Sequence, residues 1–105
     1  MHSWYKLPVT EEMLRENPGL KKSFVIAGKN ICILQVKEKL HAIAATCPHA
    51  GGNMCEGFVD ALDNIVCPVH HYRFSLATGY NRSGEGFQLK IYRVEKKEDG
   101  WYVSI

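Results

Sequence analysis

The chain has 105 residues, 46% of them hydrophobic, and a formal net charge of +2. That is the size of one globular domain with a modest core. Its 13 basic and 11 acidic side chains are dispersed, with Lys21-Lys22 and Lys96-Lys97 as pairs rather than patches, which argues against nucleic-acid binding.

In chain order, residues 11–16 read as a short helix. Thr10 supplies the cap and Pro18-Gly19 the stop; six residues need packing to stay helical. The stretch SFVIA at 23–27 is β-branched and aromatic. A turn at 28–30 leads into ICILQV at 31–36, a hairpin signal. The polar break at 37–39 then leads to LHAIAAT at 40–46, the third strand of a meander. Pro48, Gly51, Gly52, Gly57, Pro68 and Gly79 concentrate in the next stretch, which reads as loops inserted between strands. Residues 88–94 have β-type composition, and a charged turn ends at Asp99-Gly100. Trp101, Val103 and Ile105 then alternate with Tyr102 and Ser104, the period of a half-buried strand. The fold class is all-β, in one domain over residues 1–105.

Two motifs carry chemistry: Cys47-Pro48-His49-Ala50-Gly51-Gly52 and Cys67-Pro68-Val69-His70, with seventeen residues between His49 and Cys67. Each offers one thiolate and one imidazole. A single zinc or a two-iron two-sulfur (2Fe-2S) cluster would accept that set. Spacing favours the cluster. One residue separates Cys47 from His49, whereas zinc pairs commonly have two to four between them. A cluster spreads its ligands over two metals, so each loop can give its cysteine to one iron and its histidine to the other. The proline after each cysteine fixes local backbone. Gly51-Gly52 permits close approach and points N–H groups at the sulfurs. Ferric ions, sulfides, thiolates and neutral imidazoles sum to zero charge, and one-electron reduction gives −1, which suits reversible electron transfer. The same negative charge raises the affinity of His49 and His70 for protons.

Other residues receive plainer readings. His71 adjoins a ligand but has the poorer spacing, and is read as exposed or hydrogen-bonded. Cys55 is read as a small loop residue near the cluster, with a redox-partner role as the lesser alternative, Cys32 as core, His41 as surface, and Trp4 and Trp101 as packing residues. Phe74 either plugs the core below the second loop or joins Tyr72 and Arg73 at a partner surface. Segment 46–75 nets −2 against +4 elsewhere, too small a difference to define a docking face.

CPHAGG and CPVHHYRF, followed by Thr78-Gly79, resemble the two cluster-binding boxes of Rieske proteins. The resemblance is specific over about 46–80, and the flanking strands are compatible with the rest of that fold. It implies stacked antiparallel sheets with two cluster-binding loops at one tip. Cys47 and Cys67 would hold the inner iron, and His49 and His70 the outer iron near solvent. The respiratory-complex type carries an extra, disulfide-bonded cysteine in each box; here those places hold Gly52 and Val69. That type also has Ser and Tyr hydroxyls after its second histidine, where this chain has Tyr72 and Phe74. The chain is thus more similar to low-potential Rieske ferredoxins, which feed oxygenases, and to small subunits of nitrite reductases.

The expected function is one-electron transfer through one 2Fe-2S cluster per chain, with a reductase and an oxygenase or similar acceptor as partners. The alternative is a non-catalytic electron-transfer subunit of a nitrite reductase-like complex. Catalysis by the chain itself is not expected, because no further set of two histidines and a carboxylate stands outside the boxes. No small-molecule substrate or nucleic acid is expected. The longest apolar runs, at 31–34 and 42–45, are too short to span a bilayer, and MHSWYKLP lacks the order of a leader. With cysteines spaced for metal, the expectation is a cytoplasmic protein.

Overall fold

A computed structural model of the chain describes residues 3–48, 51–69, 71–82 and 86–105. The described residues form a main sheet in the order β1-β9-β8-β4-β3-β2 and a smaller one in the order β5-β6-β7, antiparallel throughout. The main sheet comprises β1 (Trp4–Lys6), β2 (Lys21–Ile26), β3 (Lys29–Val36), β4 (Lys39–Ala44), β8 (Ile91–Lys97) and β9 (Gly100–Ser104). The smaller comprises β5 (Phe58–Val59), β6 (Asn64–Val66) and β7 (Arg73–Ser75).

The predicted meander is β2-β3-β4. Its first turn lies one residue earlier than expected, at Ala27-Gly28, because Lys29 and Asn30 already pair with Ile26 and Val25. Both turn residues have positive φ, 52° and 78°, as a two-residue hairpin loop matched to strand twist requires. β3 is buried on both faces. Ile31 and Ile33 face one core with Leu7, Val9, Leu14, Leu40, Ala42 and Val103. Cys32 and Leu34 face the other, with Ile43, Met54, Ile65, Phe74, Leu76 and Leu89. The second core joins the two sheets, so strict alternation along β3 is what stacks them.

The predicted helix is α1 (Glu11–Glu16), where the Met13 amide donates to the Thr10 hydroxyl at 3.1 Å. Leu14 plugs it into the first core. On β9, Val103 is buried and Trp101 and Ile105 pack against that core, as the alternation predicts. The last strand pair begins later than expected, at Ile91. Gln88 makes an isolated bridge to Tyr80, and the Leu89 amide donates to the Gly79 carbonyl at 2.9 Å. A Cβ on Gly79 would collide with that Leu89 carbonyl, so the bare glycine lets the segment cross there. His41 is half-buried on β4 rather than at the surface, and burial lowers its pKa from the ordinary imidazole value. No helix among the described residues is long and apolar enough to cross a membrane.

Candidate metal centre

The two Cys-Pro motifs fold into loops with the same hydrogen-bond pattern. In the first, the Cys47 amide donates to the Gly52 carbonyl at 2.8 Å, and the Gly51 amide to the Cys47 carbonyl at 3.0 Å. In the second, the Cys67 amide donates to the Tyr72 carbonyl at 2.9 Å, and the His71 amide to the Cys67 carbonyl at 3.0 Å. An antiparallel pair closes the base of each loop, Thr46 with Asn53 and Val66 with Arg73. The fifth loop residue has positive φ in both, 69° at Gly51 and 59° at His71. Proline in second place suits such a loop: its φ is set, and neither closing bond needs its missing amide.

This pattern bears on several sequence expectations. His71 is exposed, as read, and its amide closes the loop. The Gly51 amide does the same, so it closes the loop instead of facing a sulfur. Phe74 is fully buried beneath the second loop. It is the core plug, while Tyr72 is half-buried against the same core.

Cys47 and Cys67 are buried, at 2% and 1% exposure, and lie outside the disulfide described below. They share one core with Met54, Ile65 and Phe74. The loops also touch. A Cβ built on Gly52 would stand 3.2 Å from Cys67 Sγ and 2.5 Å from Val69 Cγ2. A bare glycine thus keeps the first loop close to the second loop's sulfur. Two buried sulfurs on matched, touching loops are a donor set that fits a thiolate-held iron cluster. The other two predicted ligands, His49 and His70, lie outside the described residues.

A third segment flanks the second loop. Asn81 bridges to Phe74, the Ser75 amide donates to the Tyr80 carbonyl, and the Arg82 amide donates to the Arg73 carbonyl at 2.6 Å. Residues 80–82 therefore run beside β7 toward the base of that loop. Val69, on the loop itself, is 49% exposed.

Arg73 ties the loop base to Asp60. Asp60 Oδ1 accepts the amides of Leu62 and Asn64 at 2.9 and 3.0 Å. Its Oδ2 accepts Asn64 Nδ2 at 3.1 Å and Arg73 Nη1 at 2.7 Å. The Asn64 amide is the main cause that lowers the Asp60 pKa from an ordinary 3.8 to about 2, with the Arg73 guanidinium adding to it. A depressed folded-state pKa means that the unfolded chain takes the proton first. The stabilisation is complete above the unfolded value and is lost as pH falls from about 4 toward 2. Asp60→Asn is expected to lower Tm at neutral pH by roughly 5 °C. In parallel melts of the two proteins, that gap should shrink on acidification to near pH 2; a constant gap would count against this account.

The feature that sequence reasoning missed is a disulfide between Cys32 and Cys55, with a Cα–Cα distance of 5.6 Å. Cys32 is fully buried on β3, as expected of a core residue. Cys55 lies in a 3₁₀ turn, Met54–Glu56, between the first loop and β5.

Comparison with known proteins agrees with this geometry. The family model for the Rieske [2Fe-2S] domain matches residues 3–93. The ferredoxin component of the naphthalene 1,2-dioxygenase/salicylate 5-hydroxylase systems of Ralstonia sp is 33% identical over 54 residues, 51% of each chain; the match thus spans about half the length of that relative. Among solved structures, a chain in the complex of reduced oxygenase and oxidized ferredoxin of carbazole 1,9a-dioxygenase superposes with a TM-score of 0.78 at 29% identity, covering 95% of this chain and 91% of that one. A protein described as an NADH-dependent nitrite reductase small subunit of Mycobacterium tuberculosis gives a TM-score of 0.84 at 16% identity, over 100% and 96% of the two chains; that likeness is one of fold. Matched Cys-Pro loops and a family match across most of the sequence lead to one conclusion: the chain belongs to the Rieske [2Fe-2S] domain family, whose cofactor is a 2Fe-2S cluster.

Proposed function

We propose that Cys47, His49, Cys67 and His70 hold the cluster, and that the chain is a cytoplasmic, low-potential electron carrier of the ferredoxin type. The observation that carries the ligand assignment is the pair of matched loops, each with its cysteine in first place and the two sulfurs buried in one core. The cluster, when bound, takes up and releases one electron. The protein's part is to bury the sulfur side against Phe74, Met54 and Ile65 while the Val69 side of the second loop stays exposed for a partner.

The low potential rests on what surrounds the sulfurs. Phe74, where the respiratory type has a hydroxyl donor, is a hydrocarbon ring at zero exposure. Fewer O–H donors stabilise the reduced, negative state less. An oxygenase as acceptor is supported by the 29% identical structural relative, a chain in an oxygenase–ferredoxin complex.

The test is a spectroelectrochemical titration of the purified holoprotein, followed by stopped-flow oxidation of the reduced protein by a Rieske-type oxygenase. The expected midpoint is near the lower end of the Rieske range, on the order of −150 mV, with rapid electron delivery. A midpoint well above zero overturns the low-potential reading. Co-purification as a fixed subunit of a larger reductase would replace the carrier reading with the nitrite reductase-like one.

A further inference from the structure

We propose that Cys32 and Cys55 form a thiol–disulfide redox site, separate from the cluster ligands, whose state sets how firmly the cluster-bearing loops are held to the main sheet. The Cα–Cα distance of 5.6 Å lies in the range that a disulfide spans. The two ends differ in character. Cys32 sits mid-strand in β3, between Ser23 of β2 and Ile43 of β4, and is fully buried. Cys55 is half-buried, in a turn whose Met54 is buried in the core. Its amide donates to Asn53 Oδ1 at 3.0 Å, and the Met54 amide donates to the Ala45 carbonyl at 2.8 Å. Lys21 Nζ donates to the Gly57 carbonyl just beyond the turn.

The turn begins two residues after Gly52, the glycine that lies against Cys67 Sγ. The disulfide therefore fastens the first loop's exit to the middle of β3, next to the edge strand of the main sheet. Its position also decides which sulfur reacts. Cys55 is the more exposed of the two residues, so the proposed attack of a dithiol reductant is at its sulfur rather than at Cys32. A thiolate of the dithiol bonds to Cys55 Sγ as the Cys32–Cys55 bond breaks, and the departing Cys32 thiolate takes a proton. The reductant's second thiol then attacks the mixed disulfide, loses its proton and frees Cys55. The dithiol leaves oxidised by two electrons, as a disulfide. The reverse exchange with an oxidised dithiol restores the bond. In a cytoplasmic protein a disulfide is characteristically of this reversible kind. Reduced Cys32 remains a small apolar residue in a packed core, so the fold survives while Cys55 loses its tether to β3 and the turn is held by Met54 and its backbone hydrogen bonds.

The experiment begins on holoprotein purified without reductant. It is denatured in N-ethylmaleimide and digested, and the peptides carrying Cys32 and Cys55 are weighed. The expected result is a linked peptide pair, converted by dithiothreitol into two alkylated peptides. Melting and cluster loss are then followed in wild type and Cys55→Ser, each with and without dithiothreitol. Wild type is expected to lose on the order of 10 °C in Tm on reduction, and to lose its visible absorbance several-fold faster. Cys55→Ser should start at the reduced values and not respond. Full alkylation of both cysteines in protein treated with an oxidised dithiol overturns the proposal, as does an equal response of wild type and variant. The alkylation arm and the wild-type melts with and without dithiothreitol need no variant to fold and no cluster to be present, so they decide this site even if the ligand assignment above fails.

Discussion

Cys67→Ala is expected to purify colourless, without acid-labile sulfide and without a reduced-state EPR signal, whereas Cys55→Ala should purify coloured. Cys67 is 1% exposed, in a core shared with Cys47, and Gly52 brings the first loop against its Sγ. Cys32 and Cys55 are tied to each other, so neither supplies a replacement thiolate. A lost sulfur leaves one iron a ligand short, and iron–sulfur sites of this kind need all four. The methyl group also leaves a small void, which costs about 1 kcal/mol by itself. The larger loss is the metal's own contribution to folding, which disappears with the cluster. Tm should therefore fall further in Cys67→Ala than the void alone explains, toward that of metal-free wild type. Full colour in Cys67→Ala would remove Cys67 from the ligand set.

How much of this was legible beforehand depended on length and on locality. The meander was readable because ICIL at the heart of β3 is a run of residues buried on both faces, between recognisable turns. The helix was readable because Thr10 and Pro18-Gly19 mark its ends locally. The last strand was readable from five residues of clean alternation. By contrast β5, β6 and β7 have two or three residues each, too few for any periodicity to appear. β1 is a three-residue edge strand whose side chains are all exposed. Its Trp4 lies beneath the cations of Arg93 and Lys97 instead of in the core. The start of the β8 pairing moved because Gly79 and Leu89 cross, a contact between residues ten apart that no local pattern reports. The site followed the same division. The ligand spacing is written in the sequence, but the disulfide joins residues 23 apart, a separation that no local pattern marks.

The facing of the two loops leads to the second large effect. The respiratory-type disulfide positions, Gly52 and Val69 in this chain, meet: a Cβ on Gly52 stands 3.5 Å from Val69 Cβ, at the near end of the range that disulfides use. Gly52 is not among the positive-φ glycines, so a side chain there meets no backbone strain. Its main obstacle is Val69 Cγ2 at 2.5 Å, with Cys67 Sγ also close at 3.2 Å. Gly52→Ala alone should therefore cost about 1–3 kcal/mol as an overpacked contact, and adding Val69→Ala should recover most of that. Gly52→Cys with Val69→Cys removes the main obstacle and supplies the bond. The oxidised double variant is expected to gain about 2 kcal/mol, since a loop of this size is worth up to about 3 kcal/mol when cross-linked. That corresponds to a rise in Tm on the order of 10 °C. Intact-mass and thiol-titration measurements before and after oxidation decide whether the bond forms. If both new thiols still titrate after oxidation, the loops do not face each other as described. If the bond forms and Tm rises, this chain keeps the geometry of the second disulfide without its cysteines, and leaves loop-to-loop closure to glycine packing and to the Cys32–Cys55 link behind it.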